Sequence, residues 1–254
     1  VASLHAACTG EGDRTLVLAH GFTQTGRLWG RFGQLVGRGR RVVAVDLPGH
    51  GGSGEVRADL TEGAQLLLDA APPGPVDLVG YSLGARFALH AALGDPSRVA
   101  RLVLISGTAG IEDPEERERR RRRDEQLADE LEAAGDVDAF VRRWLAAPMF
   151  ATLRADAADA GERRRNSAAG LASSLRLAGV GTQESLWHRL GELSMPVLVL
   201  AGATDPRYQA LGARLAAGAG GTFAVVPGAG HAVHLEQPAL GAAIVERWLA
   251  TTER

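Results

Sequence analysis

The sequence predicts an α/β domain: a mostly parallel sheet covered by helices on both faces, with a helical segment inserted before the last two strands. Three observations predict it. Short, largely apolar runs rich in β-branched residues, such as Leu16 to Ala19, Val42 to Val45 and Val76 to Val79, alternate with stretches of helical period. The runs are apolar enough for strands buried on both faces, as a parallel sheet requires. Between Gly107 and about Leu193 the pattern turns charged, alanine-rich and helical, after which the strand pattern resumes. The expected division is a core of residues 1–106 and 194–254, with residues 107–193 inserted as a helical cap.

Taken in order, Ser3 to Thr9 reads as a leading strand and Thr15 to Ala19 as a second, closed by His20-Gly21-Phe22. A helix follows from about Gly26 to Val36, then the strand Arg41 to Val45 and a glycine-rich loop, Asp46 to Gly54. Leu60 to Ala71 reads as a helix stopped by Pro72 and Pro73. Val76 to Val79 makes a strand that turns abruptly into a helix, since Leu83, Phe87 and Ala91 recur every four residues. Val99 to Ser106 is the next strand. Beyond the helical insertion, Pro196 to Ala201 and Thr222 to Val226 are strands, and a helix from about Pro238 to Ala250 closes the chain.

Composition narrows the chemistry. The 254 residues, 45% hydrophobic and 23% charged, suffice for one large domain with a packed core. A net charge of −2 and a pI near 6.4 leave no broad footprint for nucleic acid or an anionic membrane. All 28 basic residues are arginine, which excludes a lysine Schiff base, a pyridoxal-phosphate anchor and a Walker phosphate loop. The single cysteine, Cys8, excludes an internal disulfide and a cysteine zinc site. No apolar run approaches the ~18 residues of a membrane span and no secretory signal pattern opens the chain, so no membrane insertion and a cytoplasmic location are expected.

The strand at Val76 meets its helix through Gly80-Tyr81-Ser82-Leu83-Gly84, a G-x-S-x-G pattern whose small flanks let the backbone hold Ser82 exposed and strained. At that helix N-terminus, orphan N–H groups and the helix dipole favour negative charge. A serine hydroxyl needs a base, and the base an orienting acid. Asp205 follows the strand at Val197, and His231 follows the strand at Thr222. All three thus lie just beyond the carboxyl ends of parallel strands, in the chain order Ser…Asp…His of α/β-hydrolases. The His20-Gly21-Phe22 loop can aim the Phe22 N–H, with that of Leu83, at a developing oxyanion.

Two motif matches fail on context. Gly49, Gly51 and Gly54 have the dinucleotide-fingerprint spacing, with Asp69 further on, but Pro48 and His50 intervene and no periodic helix opens at Gly54. His231, His234 and Glu236 lack the helical spacing of a metal site, and no metal is expected. The arginine run Arg117, Arg119 to Arg123 is matched by Glu115, Glu116 and Glu118, each with an arginine four residues later, so it reads as a solvated helix. Arg120 is the exception, on one stripe with Leu127 and Leu131. Either Asp124 pairs with it or it projects into the active-site cleft to hold a carboxylate. Arg86, one turn after Ser82, either adds positive field near the nucleophile or makes a structural salt bridge.

These residues resemble the MenH family, the α/β-hydrolase-fold 2-succinyl-6-hydroxy-2,4-cyclohexadiene-1-carboxylate synthases of menaquinone biosynthesis. The likeness covers nearly the whole chain: H-G-F at 20–22, D-L-P-G-H-G-x-S at 46–53, G-Y-S-L-G-A-R ending in Arg86, E-R-x-x-R through Arg120, W-L-A-A-P-M-F with Trp144 and Phe150, and the stretch from Arg163 to Gln183. The resemblance implies an α/β-hydrolase fold and a lyase that takes a proton from a succinyl-enolpyruvyl cyclohexene dicarboxylate and eliminates pyruvate. It implies substrate contacts from Tyr81, Arg86, Arg120, Trp144, Phe150 and Arg163. Helical phasing, in contrast, turns Arg164 toward the stripe of Leu171. Ala85 stands where the family commonly has glycine, and Arg207 stands where it has lysine. A small anionic carboxylate substrate, no organic cofactor, no nucleic acid, and a monomer or weak homo-oligomer are expected. The alternatives are a serine-triad esterase or C–C bond hydrolase, and a receptor that keeps the fold without turnover.

Overall fold

The computed structural model describes residues 2–252; Val1 and the last two residues, which the expected core limits 1 and 254 include, lie outside the described residues. Seven strands form one sheet: β1 (Ala6–Thr9), β2 (Thr15–Ala19), β3 (Arg41–Val45), β4 (Val76–Tyr81), β5 (Val99–Ile105), β6 (Val197–Gly202) and β7 (Thr222–Val226). Their spatial order is β1-β3-β2-β4-β5-β6-β7. Only β1 runs antiparallel to its neighbour. β1 begins later than expected because His5 gives its N–H to Ser53 Oγ instead of to β3, leaving the ladder to start at Ala6.

The helices are α1 (Gly30–Val36), α2 (Leu60–Asp69), α3 (Leu83–Gly94), α4 (Pro114–Ala134), α5 (Val137–Leu145), α6 (Ala155–Ala158), α7 (Ala160–Arg163), α8 (Ala168–Ala178), α9 (Pro206–Gly218), α10 (Val233–Glu236) and α11 (Pro238–Thr251). Successive residues of each strand point to opposite faces, so β2 sends Val17 and Ala19 to one core and Leu16 and Leu18 to the other. The first core is closed by Leu67 of α2, Phe87 of α3 and Leu215 of α9, the second by Phe32 of α1 and Val245 of α11. All of α4 to α8 fall between β5 and β6, and among the described residues that stretch contains no strand. No helix of the described residues is long and apolar enough to cross a membrane.

The turn from β4 into α3 is the tightest point of the sheet. Ser82 adopts φ 51° and ψ −104°, a left-handed conformation that a side-chain-bearing residue holds only at a cost of about 1–3 kcal/mol. The flanking glycines are required by space: a Cβ on Gly80 would run into the Gly84 carbonyl, and one on Gly84 into the Ala19 carbonyl. Ala85 fits because its neighbour across the contact is Gly107, where an added Cβ would lie 2.8 Å from that of Ala85.

Two buried histidines hold the loops beside this turn. His20 Nδ1 donates to the Gly21 carbonyl (2.8 Å) while its Nε2 accepts the Leu47 N–H (3.0 Å). His50 Nδ1 donates to the Pro48 carbonyl (3.0 Å) and its Nε2 accepts the Thr23 N–H (3.2 Å). Each bonding pattern needs the neutral ring. Burial enforces it, lowering the pKa of His20 to about 4 and of His50 to about 3. At the opposite end of the sheet, Arg101 of β5 grips Asp77 of β4 through two hydrogen bonds of 2.6 and 2.5 Å and gives a third, 2.6 Å, to the Leu249 carbonyl of α11. Both side chains are buried.

Two outcomes are expected. Arg101→Met leaves the Asp77 carboxylate buried and unpaired, and should lower stability by about 3–5 kcal/mol, seen as a reduced urea midpoint; Asp77→Leu in the same chain should recover much of it. His20 and His50 bind protons in the unfolded chain below their ordinary value of 6.5 but not in the folded one. Their stabilising effect is therefore whole above pH 6.5 and falls as the pH drops toward 4. Urea midpoints measured between pH 7 and 4 should decline, and the decline should lessen in His50→Gln.

Candidate active site

Strands β4, β6 and β7 deliver the three residues of the Ser…Asp…His pattern to one edge of the sheet. Ser82 Oγ lies 3.1 Å from His231 Nε2, and His231 Nδ1 lies 3.0 Å from Asp205 Oδ2. Ionised Asp205 can only accept, so Nδ1 carries the proton and the Nε2 lone pair faces the Ser82 hydroxyl. His231 is fully buried, with the Tyr208 ring centroid 4.5 Å and the Phe150 centroid 6.0 Å from its own. Asp205 doubles as the N-cap of α9, accepting the Tyr208 N–H at 3.2 Å. Burial pushes its carboxyl up, but the hydrogen bonds from His231 and Tyr208 and the charge of Arg207 outweigh that and hold its pKa below the ordinary carboxylate value.

Ser82 opens into a cavity of about 390 Å³, walled in part by Phe22, Leu83, Arg86, Arg120 and Trp144. Leu83 begins α3, so its N–H has no partner within the helix. In the facing loop the N–H groups of Gly21, Thr23 and Gln24 are committed to Gln24 Oε1, His50 Nε2 and the Gly21 carbonyl, which leaves that of Phe22 for the cavity. The Phe22 ring meets Trp144 and Phe140 edge-on, centroids 5.0 and 6.2 Å away, and so carries α5 over the serine.

Both arginines picked out by position reach this cavity. Arg86 is 5% exposed, and no carboxylate pairs with it among the described residues; its Nη1 is buried without a hydrogen-bond partner. Burial, offset in part by Tyr208 and deepened by Arg120, lowers its pKa to about 10, so it stays charged at neutral pH. A structural salt bridge is thereby ruled out for Arg86. Arg120 pairs with Asp124, its Nε donating to Oδ1 at 2.9 Å, and the side chain, one-third exposed, also lines the cavity. Its neighbours Arg121 and Arg122 turn outward to Glu118.

Three expected substrate contacts do not line the cavity. Tyr81, 2% exposed, faces away along β4 and packs against Gly21, where an added Cβ would lie 2.5 Å from its ring. Phe150 backs His231 and Trp144. Arg163 is 1% exposed and bonds to Thr23 Oγ1 (2.5 Å) and the Ala158 carbonyl (2.8 Å). Burial lowers its pKa to about 10. The phasing that favoured Arg164 is corrected: α7 ends at Arg163, before the separate helix α8, so the stripe of Leu171 does not extend back across the break, and Arg164 lies half-exposed against Asp138.

Sequence reasoning missed the side chains that bind backbone from a distance. Asp46 accepts the Gly26 and Gly52 N–H groups, both at 2.7 Å, and Asn166 joins the Gly51 N–H to the Thr23 carbonyl. Only the recurrence of such residues beside glycine-rich turns hints at this role. Of the glycines of the rejected dinucleotide match, Gly49 is packed under α8, where a Cβ would run into the Gly170 carbonyl, and Gly51 is packed against the Asp46 carboxylate. Among the described residues no group of three or more His, Cys, Asp or Glu could hold a metal ion.

The model of the alpha/beta hydrolase family matches residues 16–244. A Bacillus subtilis (strain 168) protein provisionally named 2-succinyl-6-hydroxy-2,4-cyclohexadiene-1-carboxylate synthase is 34% identical over 94% of this chain and 91% of its own length. A protein of Escherichia coli O1:K1 / APEC with the same name, given without qualification, is 33% identical over 88% of this chain and 89% of its own. The solved structure of MenH from S. aureus superposes with a TM-score of 0.91 at 27% identity, over 98% of this chain and 99% of that one. Sheet order, serine turn and near full-length similarity agree, and the chain belongs to the alpha/beta hydrolase family, among its MenH-like members.

Proposed function

We propose that this protein is a 2-succinyl-6-hydroxy-2,4-cyclohexadiene-1-carboxylate synthase, a carbon–oxygen lyase. The observation that carries the reading is the buried Arg86 guanidinium, without a carboxylate of its own, in a cavity it shares with Ser82 and Arg120. An unpaired buried cation is costly, and a substrate carboxylate would relieve that cost. A neutral ester would not. The names of the proposed substrate, 2-succinyl-5-enolpyruvyl-6-hydroxy-3-cyclohexene-1-carboxylate, and of the product define the chemistry: the C2 proton and the C5 enolpyruvyl group leave, and the ring double bond at C3 becomes a 2,4-diene.

In this mechanism Ser82 is the base. His231 Nε2 takes the hydroxyl proton as Ser82 Oγ takes the C2 proton, with Asp205 stabilising the imidazolium. The electron pair moves into the succinyl carbonyl, and the resulting enolate is met by the N–H groups of Phe22 and Leu83. Collapse of the enolate through the ring breaks the C5–O bond, and the departing enolpyruvate takes the proton held by His231 at its methylene carbon, becoming pyruvate and restoring the neutral imidazole. Arg86 and Arg120 bind carboxylates and set the C2–H against Ser82. The residues 107–193 act as a cap over the site, with Trp144 as part of its roof. Tyr81, Phe150 and Arg163 contribute by fixing the Gly21 turn, His231 and Thr23.

Pyruvate release from the synthesised intermediate tests the reading. Ser82→Ala and His231→Ala should each lower kcat by at least about 10³-fold while folding normally. Arg120→Ala should cost about 2–4 kcal/mol in kcat/KM, whereas Arg121→Ala and Arg122→Ala should change it little. Deuterium at C2 should slow turnover, and intact mass after an early quench should show unmodified protein. An acyl adduct on Ser82 together with fast turnover of p-nitrophenyl esters would overturn the lyase in favour of an esterase.

A further inference from the structure

Glu236 has no part in the mechanism above, yet its carboxylate collects three hydrogen bonds around the catalytic histidine. Its Oε2 accepts the Gly230 N–H at 2.9 Å and its Oε1 the Ala232 N–H at 2.9 Å, the N–H groups of the residues on either side of His231. Oε2 also accepts the Thr152 hydroxyl at 2.6 Å, from the helical stretch inserted between β5 and β6. The space is closed as well as bonded. A Cβ on Gly230 would run into Thr152 Oγ1 and lie 3.2 Å from both Glu236 oxygens. Glu236 ends the single turn of α10, whose N-cap is Ala232, so a short helix returns its last side chain to the loop that carries His231. From the other side, Ser106 Oγ donates to the His231 carbonyl at 2.8 Å.

We propose that Glu236 is a positioning residue for His231: by holding the N–H groups on both sides of the histidine, it fixes the imidazole between Ser82 and Asp205, and through Thr152 it ties that position to the inserted segment. Gly230 and Thr152 both line the cavity, so the clamp lies at its wall and is sensitive to what fills it. Loop backbone of this kind has no ladder to hold it, and an error near 1 Å in a catalytic group lowers rate by about 10²-fold. A carboxylate suits the task because each oxygen accepts without donating. Glutamine at this position would present an NH₂ group to one of the two N–H donors.

This inference rests on the reading of Ser82, His231 and Asp205 as the reacting triad, but not on the identity of the substrate. The test is the rate at which a fluorophosphonate labels Ser82, followed by intact mass, with the downfield proton resonance of His231 Nδ1–H as a second readout. Glu236→Gln should fold, label about 10- to 100-fold more slowly than wild type, and broaden the resonance. Thr152→Val, which removes one of the three bonds and leaves both N–H bonds in place, should slow labelling and broaden the resonance, each to a smaller extent than Glu236→Gln. If Glu236→Gln does not fold, Gly230→Ala makes the same test, with slow labelling expected and partial recovery in Gly230→Ala/Thr152→Ala, where the hydroxyl clash is gone. Wild-type labelling and a sharp resonance in Glu236→Gln, or in Gly230→Ala if that variant takes its place, would overturn the proposal and leave Glu236 as a cap of α10. Failure of the wild-type protein to label at all would sink the triad reading instead.

Discussion

The site depends on the close approach of the β4–α3 turn to the end of β2. Gly80 and Gly84 have no side chains because carbonyl groups occupy that space, and the same closeness sets Ser82 in its left-handed conformation at the start of a helix. The strain is local and the sheet absorbs it: β4 lies between β2 and β5, buried on both faces, so the turn cannot relax by sliding. The facing loop is then organised around the fixed serine. Neutral His20 and His50 tie it to the 46–54 loop, and Tyr81 fills the gap left by Gly21. The Ser82 hydroxyl, His231 and Asp205 thus come within hydrogen-bond reach without any one element holding them all.

Charge is distributed unevenly between the surface and the site. Most arginines of the inserted segment are paired on the surface, where ion pairs of this kind contribute little to stability. Arg86 is the opposite case. It is buried beside Arg120 with no carboxylate partner, a costly arrangement that makes physical sense if the compensating anion is a ligand. The buried Arg101–Asp77 pair provides the contrast within the same molecule: similarly buried, fully partnered, and at the far end of the sheet, it is structural.

The inserted segment reaches the loops around the cavity through specific hydrogen bonds. Arg163 and Asn166 reach the Thr23 turn, Glu162 accepts the Thr25 hydroxyl, and Thr152 reaches Glu236 beside His231. Each of these four bonds lands on a loop that also positions a group at the cavity. A shift of the segment would therefore be felt by Phe22 and His231 through hydrogen bonds, in addition to any change in access to the cavity.

The sequence by itself determined the sheet, because strand runs such as Thr15–Ala19, Arg41–Val45 and Val197–Gly202 carry their burial in their own composition, and local composition is legible without neighbours. It also determined the Ser…Asp…His order, since parallel strands force each residue that follows one onto the same edge. The helical phase of α4 was enough to set Arg120 apart from Arg121 and Arg122. Only the tertiary structure decided what depends on distant partners. Asp77 and Arg101 stand inside apolar runs, and nothing local says they are in register on adjacent strands. Arg163 rather than Arg164 turned inward because the chain breaks between α7 and α8, and a phase cannot be carried across a break. The bonds of Glu236, Asp46 and Asn166 run from side chain to backbone, and a backbone N–H leaves no mark in the sequence of the residue that bears it.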